Sequence, residues 1–150
     1  MKHKIMITLC ILSTGLVHAA PAKILDALRW EESHNKNHEV NHNRNGTKDC
    51  GPFQLNSQYL DYFAWKYNKG KKINPFNERE SRRVASDYLD DLQTFILGNH
   101  LADARFKQSE RWYEIIQAWN CGLSQYLRGS TKTSRALARR VLERAGYGRQ

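Results

Sequence analysis

The chain has 150 residues, 24 Lys and Arg against 15 Asp and Glu, a net charge of +9 and a mean hydropathy of −0.75. That length gives room for one compact domain and argues against two. The polarity and the lack of a long apolar run after residue 20 exclude a multi-span membrane protein. The positive charge favours anionic polymers or surfaces as partners, although solubility alone would also explain it.

The first nineteen residues read as a targeting segment. Lys2 and Lys4 make a positive start, Ile5 to Val17 is mostly apolar, and Val17-His18-Ala19 offers small side chains at the cleavage positions. This is the pattern of a secretory signal peptide, too short for a stable membrane span. Cleavage after Ala19 leaves a domain of residues 20–150 in the periplasm or outside the cell. Taking Lys2 and Lys4 from 24 basic residues leaves 22 against 15 acidic ones, so that domain has a charge of about +7. For an exported chain, nucleic acid is a less natural partner than cell wall or phospholipid headgroups. Cys10 leaves with the leader. Cys50 and Cys121 remain, either as one disulfide, which an oxidising compartment permits, or as two free buried thiols.

Ala22 to Ser33 is expected to be helical, with Ile24, Leu25 and Leu28 as an apolar stripe. Asn35 to Lys48 is Asn-rich with almost no apolar residues, and its Asn45-Gly46 pair predicts a loop or β-hairpin. Ser57 reads as the N-cap of a helix running to about Asn68. The strongest helix is expected from Glu78 to about Leu97. Val84, Tyr88, Leu89, Leu92, Phe95 and Ile96 line its inner face, and Gly98-Asn99 stops it. A further helix begins near Ser109, carries Trp112, Ile115, Ile116 and Trp119, and closes at Asn120-Cys121-Gly122. An arginine-rich amphipathic helix from Ser134, ended by Gly146, completes the chain. The fold class is mainly α with a short loop or hairpin after the first helix.

Two carboxylates near the first helix attract attention, because paired carboxylates serve glycoside hydrolysis. Glu32 lies four residues after Leu28, near the centre of the apolar stripe, whereas Glu31 falls toward its edge. A carboxyl on a half-apolar face at a helix C-terminus is disfavoured as an anion by desolvation and by the helix dipole. Both raise its pKa, as a general acid working near neutrality requires. Asp49 follows in the Asn/Gly-rich segment. Gln54, Asn56 and Asn120 are amides that both donate and accept, as sugar hydroxyls and N-acetyl groups demand. Trp119, next to Asn120, is the aromatic best placed to stack on a sugar face. His34, His38 and His42 recur every four residues, but in a run that does not look helical, so no metal site is expected.

Glu32-Ser33, the block "NRNGTKDCGPFQLN" and the block "AWNCG" together resemble the lytic transglycosylases of the lysozyme-like superfamily. In that family the first pair holds the catalytic acid/base glutamate and a neighbouring serine. The second block is similar to its Gly-x-x-Gln-x-Asn segment, and the third to its Ala-Tyr-Asn-x-Gly motif. Trp119 stands in place of the usual Tyr, and Pro52-Phe53 replace the usual apolar pair. The resemblance spans Glu32 to Gly122 and implies a lysozyme-like helical domain. The activity implied is cleavage of the β-1,4 MurNAc–GlcNAc bond of peptidoglycan, leaving 1,6-anhydro ends, with Glu32 as acid then base and no metal or cofactor. It implies substrate contacts from Ser33, Gln54, Asn56, Trp119 and Asn120. It also implies a Cys50–Cys121 disulfide, if the two blocks face each other across one cleft. Small size suggests by analogy the members that open wall gaps for secretion systems or pili. The block around Asp49 is also similar to the second-carboxylate region of animal-type lysozymes, so a hydrolytic enzyme using Glu32 and Asp49 stays open. A catalytically silent wall-binding assembly protein stays open as well, as does a cationic membrane-active protein.

Overall fold

The computed structural model describes residues 20–100 and 108–147; the leader expected over 1–19 lies outside them. The described chain is mainly helical, with a small three-stranded antiparallel sheet between its first two helices. None of these helices is long and apolar enough to cross a membrane.

Helix α1 spans Ala22–Ser33 and buries Ile24, Leu25, Ala27 and Leu28. It stops where His34 and Asn35 take left-handed backbone conformations, φ 53° and 64°, with the His34 N–H donating back to Trp30 O. The chain then folds into β1 (Val40–His42), β2 (Lys48–Cys50) and β3 (Leu55–Asn56) in sheet order β1-β2-β3. Asn45-Gly46 forms the first turn as expected, with Gly46 at φ +84°. Asn41 pairs with Asp49, and Asp49 pairs with Asn56, so three polar side chains share one face of the sheet.

A 3-10 turn over Ser57–Tyr59 leads into α2, Leu60–Tyr67. The cap is Asn56, whose Oδ1 accepts from Gln58 N, and not Ser57 as the sequence suggested. The Ser57 hydroxyl instead accepts from Lys48 N across the sheet. Helix α3 runs Glu78–His100, through Gly98-Asn99 and past the expected stop. A single helical glycine costs only about 1 kcal/mol, which a 23-residue helix with a buried face can absorb. Val84, Leu89, Leu92 and Ile96 are buried as expected, while Phe95 lies on the exposed side.

Helix α4 is Gln108–Cys121 and ends at Gly122, φ +78°. A short helix α5, Leu123–Arg128, was not anticipated. Thr131 caps α6, Lys132–Arg144, by accepting from Ser134 N. Helix α6 packs on α4 and α1, and α3 on α4. Phe53 and Leu55 enter this core from the sheet side and Phe63 from α2, so the β2–β3 loop is fixed by burial and not merely tethered.

Candidate active site

Glu32 sits one residue before the end of α1, and Trp119 comes from the last turn of α4. The indole Nε1–H donates to Glu32 Oε1 at 3.0 Å. Burial is the largest influence on this carboxyl and raises it to about 7; the Trp119 hydrogen bond pulls down, Asp49 pushes up, and Arg140 and Glu31 act in opposite senses. The residue as a whole is half-buried, and a carboxyl raised into the neutral range by burial is the kind of group that marks a functional site. Tyr88 packs on the Trp119 ring at 5.6 Å between centroids and so fixes the donor.

Glu31 has a different fate. Its carboxylate accepts from Arg140 Nε at 2.7 Å and Arg144 Nε at 3.0 Å, and its side chain is only 10% exposed. Burial pushes it up, but the two arginine hydrogen bonds outweigh that and hold it below the usual range. The neighbouring glutamates are thus separated chemically: one is an ion-pair anchor that holds α6 to α1, the other a carboxyl poised to exchange a proton. Arg140→Ala removes a positive charge near Glu32 and frees the Glu31 anion beside it. The Glu32 titration, followed by carboxyl NMR, is expected to move to higher pH; a shift to lower pH contradicts this electrostatic assignment.

Asp49 is held by amides on both oxygens. Asn56 Nδ2 donates to Oδ1 at 2.8 Å and Asn43 Nδ2 to Oδ2 at 3.0 Å. Thr47 Oγ1 accepts from the same two amides, at 3.2 and 3.0 Å, which ties the clamp to the hairpin turn. The Asp49 charge reaches Glu32 strongly enough to raise it, so the two carboxylates share one electrostatic neighbourhood.

The other expected contact residues divide. Ser33 is buried, and its hydroxyl donates to Pro52 O and Arg29 O, both at 3.0 Å. It fastens the β2–β3 loop to α1. Gln54, at φ 48°, donates through Nε2 to Gly51 O at 2.7 Å and Glu39 O at 3.3 Å, and accepts from Asn41 Nδ2 at 2.8 Å. Both ends of its amide are engaged in holding the loop that carries it. Asn120 is exposed at the end of α4. Trp119 stands at Glu32, whereas Trp30 is 37% exposed and lies under the Arg144 guanidinium at 4.8 Å.

The expected Cys50–Cys121 disulfide is not formed; both thiols are free. Cys50 is buried at the end of β2, where burial and the Asp49 charge push its thiol up. Cys121 ends α4 and its sulfur lies 3.7 Å from Gly122 O. The two motif blocks therefore meet through Glu32, Trp119 and Asp49, not through their cysteines. Among the described residues no three His, Cys, Asp or Glu side chains are grouped to hold a metal. His34 instead packs edge-on against Trp30, and His38 stacks on Phe76.

Several residues of the site were not singled out in the sequence. Asn43 and Thr47 lie in the Asn-rich run, and only strand register shows that they serve Asp49. Arg140 and Arg144 carry a signal in their four-residue spacing, which puts both on one side of α6. Tyr88 begins an aromatic run that leads outward from Trp119: Tyr88–Phe63 at 5.3 Å, Phe63–Tyr62 at 6.0 Å and Tyr62–Trp65 at 6.0 Å. It ends in a ridge where Tyr59, Tyr62 and Trp65 are 50%, 45% and 71% exposed. A shallow depression bounded by Lys23, Asp26, Trp30 and Arg144 includes none of the candidate site residues.

The chain matches no protein-family model, no curated protein and no solved structure.

Proposed function

We propose that this chain is an exported lytic transglycosylase that cleaves the β-1,4 MurNAc–GlcNAc bond of peptidoglycan. The observation that carries the proposal is the Glu32 carboxyl, raised to about 7 by burial and held by the Trp119 indole beside an amide-clamped Asp49. In its protonated form Glu32 donates to the departing glycosidic oxygen. The substrate's N-acetyl group assists the departure of the leaving sugar. Glu32, now an anion, then takes the proton of the C6 hydroxyl as that oxygen attacks C1 and closes the 1,6-anhydro ring. A pKa near the working pH suits both halves of this cycle. A helical domain with a small sheet following the acid-bearing helix fits a lysozyme-like arrangement.

The second reading is a hydrolytic lysozyme in which Asp49 is nucleophile or electrostatic stabiliser. Its support is the charge of Asp49 acting on Glu32. Against a nucleophilic role stand the two amide donors, which occupy both carboxylate oxygens. Asp49→Asn discriminates. In the transglycosylase the rate falls about tenfold or less and the ends remain 1,6-anhydro. A loss of about 10³-fold or more in the rate constant, roughly 4 kcal/mol on the barrier, assigns Asp49 to the chemistry.

The exposed ridge of Tyr59, Tyr62 and Trp65 continues the aromatic run from the site and suits a long glycan, since flat rings stack on sugar faces. Lys66, ion-paired with Asp91, lies over the Tyr62 ring, 5.7 Å from its centroid. Trp65→Ala is expected to reduce co-sedimentation with purified wall several-fold while cleavage of short soluble fragments is unchanged. Equal co-sedimentation of variant and wild type rules the ridge out as a glycan contact.

A further inference from the structure

Ala20, the first described residue, is 6% exposed and belongs to the core. Its backbone N–H donates to the Asp90 carboxylate on α3. The other face of that carboxylate is unsatisfied, because Asp90 Oδ1 is shielded from solvent and has no hydrogen-bond partner. A shielded carboxylate oxygen without a donor is costly, and native structures rarely keep one without a reason. The surroundings make it worse. Burial pushes Asp90 up, the Ala20 hydrogen bond pulls down, and Asp87 and Asp91 on the same helix push up again. Those two neighbouring carboxylates have cations of their own, Arg83 on Asp87 and Lys66 on Asp91. Among the described residues Asp90 thus has one N–H donor, no ion pair and one shielded oxygen without a partner.

We propose that proteolytic cleavage after Ala19 leaves the α-ammonium of Ala20 paired with Asp90, so that processing itself supplies the missing cation and locks the new chain start onto α3. Hydrolysis of the Ala19–Ala20 peptide bond places the water's hydroxyl on the Ala19 carbonyl and a hydrogen on the Ala20 nitrogen. That nitrogen takes a further proton at neutral pH. One N–H therefore becomes three, enough to satisfy the oxygen already bonded and the one that is not. Val17-His18-Ala19 presents the small residues a leader peptidase reads, and Pro21 keeps the chain start short before α1 begins. The inference rests on the export half of the proposed function and is independent of the glycan chemistry, so a chain without wall-cleaving activity would leave it intact.

The chain is expressed with its own leader in a bacterium that exports it, and N-terminal sequencing of the exported protein should begin at Ala20. A variant with one glycine inserted between Ala19 and Ala20 keeps the leader and Asp90 but moves the ammonium away. Its Tm is expected to fall by about 5 °C. In an Asp90→Asn background the same insertion should have no further effect. If Asp90→Asn does not fold, the Ala20 α-amine of the native wild type is followed by acylation and peptide mass spectrometry. It should react at least tenfold more slowly than in the unfolded chain. A different first residue, an unchanged Tm on insertion, an equal loss in the Asp90→Asn background, or a freely reacting α-amine each overturns the proposal.

Discussion

Glu32→Gln is expected to abolish wall cleavage while making the protein more stable at neutral pH. The substitution keeps the shape of the side chain, and the Trp119 indole can still donate to the remaining carbonyl oxygen, so the 3.0 Å contact survives. What is lost is the proton: an amide neither donates to a leaving oxygen nor recovers a proton from an attacking hydroxyl. The stability gain follows from the pKa. Glu32 has an ordinary value of 4.5 and a folded value of about 7, raised first by burial. Below pH 4.5 both the native and the unfolded chain hold the proton, and wild type and variant are equally pH-independent. Between pH 4.5 and 7 the native state keeps a proton that the unfolded state releases, so wild-type stability declines through that window and levels off above it. The Gln variant has no such decline. After discounting for the open edge of the residue, it should exceed wild type by roughly 1–2 kcal/mol above pH 7 and converge with it near pH 4. Denaturant titrations at pH 4 and pH 8 measure this. Glu31→Gln is the control. It breaks the ion pairs to Arg140 and Arg144, so it should destabilise α6 yet retain activity.

Gly51→Ala is expected to cost roughly 3 kcal/mol or more and to disrupt the site along with the fold. Gly51 holds φ +75°, and a Cβ built there would stand 1.8 Å from Pro75 O. That neighbour is backbone just ahead of α3 and cannot move aside as a flexible side chain can. The same residue connects β2 to the loop that presents Gln54. Its N–H donates to Glu39 O, and its carbonyl accepts from both Gln54 N and Gln54 Nε2. Phe53, two residues on, is fully buried. Displacing Gly51 therefore strains the Ser33–Pro52 fastening and the Asp49 strand together. A urea midpoint within error of wild type, with activity intact, would show that the approach to Pro75 is not a close contact.

The first helix was legible to the residue, because an unbroken period-3.6 stripe is followed by polar residues that tolerate left-handed backbone. The hairpin was legible from Asn45-Gly46. What the sequence could not show was how polar side chains divide between substrate and scaffold. Ser33 and Gln54 have the chemistry of sugar-binding groups, yet here they fasten backbone, because a loop carrying Gly51, Pro52 and Phe53 into the core leaves carbonyls that need donors. Asn56 displaced Ser57 as cap for a related reason: strand pairing with Asp49 places it first at the helix entrance. The cysteines misled because sharing motif blocks says nothing about where two sulfurs point. The separation of Glu31 from Glu32 was legible only in part. Helical geometry put Glu32 on the apolar stripe, but the arginine pair that fixes Glu31 lies over a hundred residues away in sequence.

The measurement that tests the central claim most directly is mass spectrometry of the products released from purified peptidoglycan by wild type and by Glu32→Gln. Wild type should release fragments ending in 1,6-anhydro-MurNAc, and the Gln variant none. Ordinary reducing ends from wild type would assign hydrolysis instead, and release of fragments by the Gln variant at the wild-type rate would remove Glu32 from the chemistry altogether.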